Sequence, residues 1–424
     1  MLKTLALVVF IGVYALLLIL PKYRAWVALA AAALFLAIGI VPFGEMASII
    51  DWNVLLMLAG TMGTVDLFIR SKMPNRLADK LVNVLPSVKA LIIVLALFAG
   101  IVSAFVDNVA TVLMLAPVGL ALASKLGISP VAPILAIAVS SNLQGAATLV
   151  GDTTSILLGG HLGMDFLDFF IYEGKPGLFW IVQIGALATV PVMLVLFRNE
   201  KGRLDGGSLT PVTEMMPTYL LVGTVLTLIL ASFVPNKPQL TNGIICIAYF
   251  IFGLAAQFIK HRNTHLAMDI IKNIDFITLL LLAGLFIVID GIDRVGIIAD
   301  LSNLIAKLGG GKLFLTYTII VWFSVLASAF IDNIPYTATM LPVVGGVSAA
   351  LGIDQTVLCF GLLMGATLGG NLTPVGASAN IAAGGILRKA GFEVSTAQFM
   401  RIGIPFTLTA VTIGYALVWI FFGM

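Results

Sequence analysis

The chain predicts an all-α polytopic membrane protein made of two inverted-topology repeats, each with a re-entrant helical hairpin and a broken transmembrane helix. Three observations carry that expectation: an apolar composition, a polar motif that occurs twice, and basic loops that fall on opposite ends of matching helices. The 424 residues are 60% hydrophobic and only 10% charged, with a mean hydropathy of +1.12. Soluble domains do not have this composition.

Apolar runs close to the roughly 20 residues of a spanning helix recur throughout. They are Leu5–Leu20, Ala25–Val41, Leu91–Phe105, Phe179–Phe197, Tyr219–Phe233, Gly243–Phe258, Phe276–Ile289, Leu313–Phe330 and Phe406–Phe422. No small-residue cleavage site precedes Pro21, so the first run is expected to be a retained helix. The net charge of +3 is small and fits basic loops on one membrane face, not a nucleic-acid partner. Cys246 and Cys359 are the two cysteines. Both sit in apolar segments and are expected to be buried thiols, with no disulfide or thiolate metal cluster.

The repeated motif runs Ser103-Ala-Phe-Val-Asp107-Asn108 through Pro117, and again Ser328-Ala-Phe-Ile-Asp332-Asn333 through Pro342, 225 residues later. Asp51–Gly60 matches Asp275–Gly284, Asp66 and Arg70 match Asp290 and Arg294, and Gly145–Gly151 matches Gly370–Gly376. Half one is placed at residues 1–198, half two at 217–424, and the polar stretch 199–216 between them is read as a cytoplasmic linker. Lys and Arg cluster at Pro21–Arg24, Arg70–Lys89, Arg198–Arg203 and Lys260–Lys272, which assigns those loops to the cytoplasm. The helix from Asp51 then runs inward and its counterpart from Asp275 runs outward. Arg294, Lys307 and Lys312 fall on the opposite, outer side. Such inversion marks alternating-access carriers that bind cargo between the repeats.

A carboxylate inside hydrocarbon costs about 2.5–3.5 kcal/mol on insertion scales, so it persists where it faces a cavity, pairs with a cation or takes a proton. No Lys or Arg lies between Ala90 and Ser124 or between Leu313 and Leu351, so the motif itself supplies no cation for Asp107 or Asp332. Each doublet is read as a hairpin tip with Pro117 or Pro342 closing a short helix, and as a site for a coupling ion or proton. The alternative is an ordinary helix N-cap. A second motif interrupts the helices with glycines and small hydroxyls, at Ser140–Ser155 and Gly365–Asn380. There unwound backbone would expose N–H groups and carbonyls to cargo; the alternative is close helix packing. Asp66–Arg70 and Asp290–Arg294 read as i,i+4 ion pairs. His161, His261 and His265 are expected in loops. Met164–Tyr172 and Val394–Arg401 read as interfacial amphipathic helices.

These motifs resemble the ion transporter superfamily of arsenite permeases, D-type sodium/proton antiporters, the melanosomal P protein and citrate or dicarboxylate carriers. Asn142–Ser155 is similar to its Ser-Asn-Ile-Gly-Gly-x-Ala-Thr-Leu-x-Gly-Asp-Pro-Pro-Asn segment, and Gly370–Asn380 to its Gly-Asn-x-Thr-Pro-x-Gly-Ala-Ser-Ala-Asn segment. The resemblance implies scaffold and transport domains drawn from both repeats, a homodimer in the plasma (inner) membrane, and elevator-like movement. One departure is Thr153-Thr154-Ser155, where relatives carry Pro-Pro-Asn.

The candidate binding residues are Asp107, Asn108, Thr111, Asn142, Thr148, Gly151, Asp152, Thr153 and Ser155 in half one. In half two they are Asp332, Asn333, Thr337, Asn371, Thr373, Gly376, Ser378 and Asn380. Sodium is the candidate metal at Asp107, Asn108, Asp332 and Asn333. No cofactor is expected beyond a coupling ion, H+ and/or Na+. Two fixed anions would repel a carboxylate cargo, so the first expectation is proton-coupled arsenite efflux or Na+/H+ antiport. A citrate or dicarboxylate carrier comes second. A cation channel and an intramembrane aspartyl protease using Asp107 and Asp152 are remote alternatives.

Overall fold

The computed structural model describes residues 2–85, 87–200, 209–261 and 264–424. The linker residues Lys201, Arg203, Asp205, Gly206 and Gly207 lie outside them. Among the described residues the regular structure is helical apart from one two-stranded ladder. Among the described residues seven helices are long and apolar enough to cross a membrane, or eight if the pair Ile297–Leu308 and Leu313–Ser328, bent by 115°, is one span.

The first ten helices are α1 (Leu2–Ile19), α2 (Arg24–Ala37), α3 (Met46–Ile49), α4 (Trp52–Arg70), α5 (Met73–Val84), α6 (Val88–Ser103), α7 (Asn108–Leu126), α8 (Val131–Gly145), α9 (Thr153–Leu162) and α10 (Leu178–Leu196). The next ten are α11 (Met216–Ser232), α12 (Thr241–His261), α13 (Thr264–Lys272), α14 (Phe276–Arg294), α15 (Ile297–Leu308), α16 (Leu313–Ser328), α17 (Asn333–Leu351), α18 (Thr356–Gly369), α19 (Ser378–Lys389) and α20 (Thr396–Val418). The element order of α1–α10 thus recurs in α11–α20.

Packing exchanges elements between the halves. α4 lies on α12 and α2 on α14; α9 lies on α17 and α19 on α7. Within each half α6 packs on α8 and α16 on α18, while α10 pairs with α20 across the halves. The helices therefore form two groups in contact: one around α2, α4, α12 and α14, the other around α6–α10 and α16–α20.

Glycines set the closest approaches. A Cβ on Gly60 would lie 2.3 Å from the carbonyl carbon of Cys246, and one on Gly284 would lie 2.8 Å from that of Ala28. Further along, Phe35 on α2 fills the space over Gly291 on α14, where a Cβ would meet its ring at 2.2 Å. In the other pair the sizes are reversed: Leu67 on α4 lies over Gly253 on α12, with 2.6 Å to a Cβ. These matched approaches align α2 with α12, Ala28 with Cys246 and Phe35 with Gly253.

Side-chain caps start the helices that carry the repeat. Asp51 accepts from the Val54 N–H and Asp275 from the Thr278 N–H, both at 3.0 Å. Left-handed glycines end the helices after each doublet, Gly127 at φ +63° and Gly352 at φ +66°, the usual glycine stop. Pro117 and Pro342 therefore do not close short helices as expected. They lie inside α7 and α17, which continue to those glycines.

Other local expectations also need correction. His161 lies in α9, His261 ends α12 and His265 lies in α13, not in loops. Met164–Tyr172 is not an amphipathic helix: it contains a single 3-10 turn, Leu167–Phe169, and then the strand Ile171–Tyr172, paired with Lys175–Pro176. Glu173 (φ +51°) and Gly174 (φ +77°) make that turn, and two consecutive positive φ angles form a tight hairpin. Val394–Arg401 is not a separate interfacial helix. Its latter part is the first turn of α20, started by a capping box of Ser395 and Gln398. Cys246 and Cys359 are buried and unpaired, as composition implied.

Candidate functional site: a two-loop cavity with one arginine

The two doublets sit at the breaks between α6 and α7 and between α16 and α17. Asp107 caps α7, accepting from the N–H groups of Val109 (3.0 Å) and Ala110 (3.1 Å). Asp332 caps α17 through the N–H of Ile334 at 3.1 Å. The cap reading of the doublets is thus correct for both residues, and for Asp107 it coexists with a place in the wall of a cavity.

The breaks after α8 and α18 fold back on these tips with the same set of bonds. Thr148 donates to the carbonyl of Ala104, and Thr373 donates to that of Ala329 at 2.5 Å. Gly151 and Gly376 meet the backbone carbonyls at 103–104 and 328–329, where a Cβ would come within 2.9 Å. Ser155 donates to the Gly145 carbonyl at 3.2 Å and Asn380 to the Gly370 carbonyl at 3.0 Å. Ser155 thus makes the loop-closing bond of its amide counterpart, so the departure at Thr153-Thr154-Ser155 keeps the loop geometry.

Buried amides join the halves. Asn108 donates to Asn142 at 2.9 Å. Asn142 in turn donates to the Thr367 carbonyl at 2.8 Å and to Asn371 at 3.2 Å. Asn371 returns a bond to the Val139 carbonyl at 2.9 Å. Asn142 and Asn371 are therefore cross-braces behind the site. Thr111 bonds the Val106 carbonyl at 3.4 Å, and Thr337 Oγ1 is buried with no hydrogen-bond partner.

A cavity of about 470 Å³ opens in front of this framework. Its wall takes Asp107, Asn108, Asp152, Thr153, Asn333 and Ser378 from the predicted set. Thr111, Asn142, Thr148, Gly151, Ser155, Thr337, Asn371, Thr373, Gly376 and Asn380 stand behind it. Asp152 is 4% exposed. It caps α9 through the Thr153 N–H at 2.7 Å, accepts from the Thr154 hydroxyl at 3.0 Å, and receives Asn333 from the other half at 3.4 Å.

Val109, Ala110 and Leu113 of α7 and Ile334 of α17 add to this side, and the other helix group supplies Arg24, Met62, Val65, Asp66, Ile69, Asn273, Asp275 and Thr278. Arg24 was missing from the predicted site and changes its electrostatics. Its guanidinium lies 3.0 Å from Asp332 Oδ2, donates to Thr278 Oγ1 at 3.0 Å, and lies 3.7 Å from Asp275. Ser378 donates to the same Asp332 oxygen at 3.1 Å. The motif itself supplies no cation, but α2, distant in sequence, supplies one for Asp332, so the two doublets are not equally uncompensated. Among the described residues no Lys or Arg lies within ion-pair distance of Asp107 or Asp152. Asp66 also lines the cavity, paired with Arg70 at 2.6 Å and receiving Asn273 at 2.9 Å. A hint in the sequence was the Asp51/Asp275 match; for Arg24 there was only its place in a basic loop.

A polytopic helical bundle with paired broken helices around a polar cavity defines the class of membrane transporters. The chain belongs to the citrate transporter family (CitMHS), whose pattern matches residues 14–358. It is 32% identical over 427 residues to an uncharacterized transporter of Mycobacterium tuberculosis, covering 98% of each chain. It is 28% identical to the human P protein, over 97% of this chain and 59% of that protein. In fold it is similar to the YdaH transporter of Alcanivorax borkumensis, with a TM-score of 0.59, 15% identity, and 95% and 98% of the two chains covered.

Proposed function

We propose that the protein is a proton-coupled secondary carrier that loads a small cation or a neutral oxyacid at the Asp107–Asp152 side of the cavity. The two halves are inverted in the membrane, and the groups around α2/α4/α12/α14 and α6–α10/α16–α20 act as scaffold and moving domain. One observation carries the reading: Asp107 and Asp152 share the cavity wall without a basic partner, whereas Asp332 is neutralised by Arg24. Two uncompensated carboxylates attract cations or protons and repel anions. Arg24, Asp66, Asn273 and Asp275 all stand at the loops assigned to the cytoplasm, so the cavity opens inward.

A second reading has its own support. The family is named for citrate, and Arg24 is a guanidinium in the wall, suited to a carboxylate. Citrate would have to displace Asp332 from it. Purified protein in liposomes with an internal pH dye separates the readings. With a proton gradient imposed, sodium, lithium, arsenite, citrate and succinate are added in turn. Collapse of the gradient by sodium, lithium or arsenite supports the first reading; collapse by citrate or succinate alone overturns it in favour of the second.

A further inference from the structure

The repeat makes a comparison possible between Arg24 and the position that replaces it in the other half. Ala28 and Cys246 occupy equivalent places against Gly284 and Gly60. Four residues earlier on each helix stand Arg24 and Asn242. The cap residues that face them are equivalent too, Asp275 and Asp51, as are the doublet carboxylates Asp332 and Asp107. At the half-two doublet the three meet: Arg24, from half one, links Asp275 and Thr278 of one helix group to Asp332 of the other.

In half one they do not meet. Asn242 has a buried Oδ1 without a partner, its amide points at Asp165 3.5 Å away, and Asp165 is held by Lys237 at 2.5 Å. Asp51 sits against α9, where a Cβ on Gly160 would come within 2.9 Å of its Oδ2. The site also lacks symmetry on the loop side, because Asp152 corresponds to Ala377. The doublet of half two thus has the arginine of α2 beside it, whereas the doublet of half one has a further carboxylate, Asp152, and an asparagine at the matching helix position.

We propose that Arg24 is a tethered counter-ion and one-sided latch: it occupies the cation position at Asp332 and fastens the two helix groups in the conformation whose cavity opens beside it. Moving the second group toward the other membrane face separates Asp332 from Arg24 and brings Asp107 toward Asp51 and Asn242, where among the described residues no guanidinium stands. The resting conformation is therefore set by a residue that does not belong to either repeated motif. Asp332 is met by Arg24 from α2 and Ser378 from α19, with Asp275 at the start of α14 sharing Arg24 and Asp152 within electrostatic range.

This rests on the alternating-access reading above, and its test needs no cargo. Spin labels at Asp293→Cys and Glu393→Cys, exposed positions on the two groups, report their separation by pulsed dipolar spectroscopy in nanodiscs, with labelled protein diluted by unlabelled. Wild type is expected to show one dominant distance. Arg24→Gln should raise a second distance on the order of tenfold relative to the first, as loss of a charge-assisted contact implies. Arg24→Lys, which keeps the charge, should retain most of the wild-type distribution. Adding Asn242→Arg to Arg24→Gln should enrich the second distance further. An unchanged ratio in Arg24→Gln, or a lysine variant as displaced as the glutamine variant, overturns the latch. A single distance in every variant, and again after sodium, lithium, arsenite, citrate or succinate is added as a separate control, would instead refute alternating access itself.

Discussion

Asp107 holds two roles that substitution can separate. Its Oδ1 accepts from the N–H groups of Val109 and Ala110 at 3.0 and 3.1 Å, and its carboxylate faces the cavity. Asparagine retains a carbonyl oxygen at the same position and ranks with aspartate as an N-cap, whereas replacement of a capping side chain by alanine costs about 0.5–2 kcal/mol. Asp107→Asn should therefore unfold within a few tenths of a kcal/mol of wild type, and Asp107→Ala should be destabilised by about 1 kcal/mol. Under the proposed carrier function, flux should depend on the charge, not the cap. Both variants should lose it, by at least about a hundredfold if a full charge in this wall contributes the roughly 3 kcal/mol of a strong charged contact. The assays are thermal unfolding in micelles and the liposome dye measurement on the same preparations. Wild-type flux in Asp107→Asn would refute the cargo role, and equal destabilisation of both variants would refute the cap.

Three further outcomes follow from packing and loop geometry. Gly60→Ala should destabilise by about 1–3 kcal/mol and Gly284→Ala by less, since their new methyl groups would lie 2.3 and 2.8 Å from helix backbone; micellar unfolding midpoints rank them. Ser155→Asn should keep flux near wild type because an amide makes the equivalent bond at Asn380, while Ser155→Ala should lower both flux and unfolding midpoint. Cys246 and Cys359, both fully buried, should resist maleimide in the folded protein and react fully after denaturation, as a mass shift will report.

The duplication was legible because it is written in local chemistry. Asp-Asn at a helix start, Gly-x-x-Thr-x-x-Gly at a break and glycines where helices cross each demand particular residue types at fixed spacing. Those demands located the hairpin tips, the loops and six residues of the cavity wall. What remained hidden was whatever depends on bringing distant segments together. Pro117 and Pro342 looked like stops, but αL glycines ten residues on decide where those helices end. The Glu173-Gly174 turn was masked by flanking apolar residues that mimic a helical stripe.

Arg24 is the instructive case. Nothing near it in the sequence marks it as part of a site, because its partners Asp275 and Asp332 lie some 250 and 310 residues away. Yet once α2 is known to pack on α14 as α12 packs on α4, the repeat itself asks what stands opposite Arg24, and the answer is Asn242. A duplicated fold needs near-equality of its halves to exchange their conformations. A difference in charge between the halves biases which of the two conformations is populated. In this chain the shared frame lies in the motifs, and the differences that bear on the Asp332 contact and the carboxylate count include Arg24 against Asn242, Asp152 against Ala377, and Thr278 against Val54. Exchanging the first pair is the most direct way to reverse the preference. Arg24→Asn with Asn242→Arg should favour the cavity at the opposite face, while either change alone should shift the balance by less than the pair.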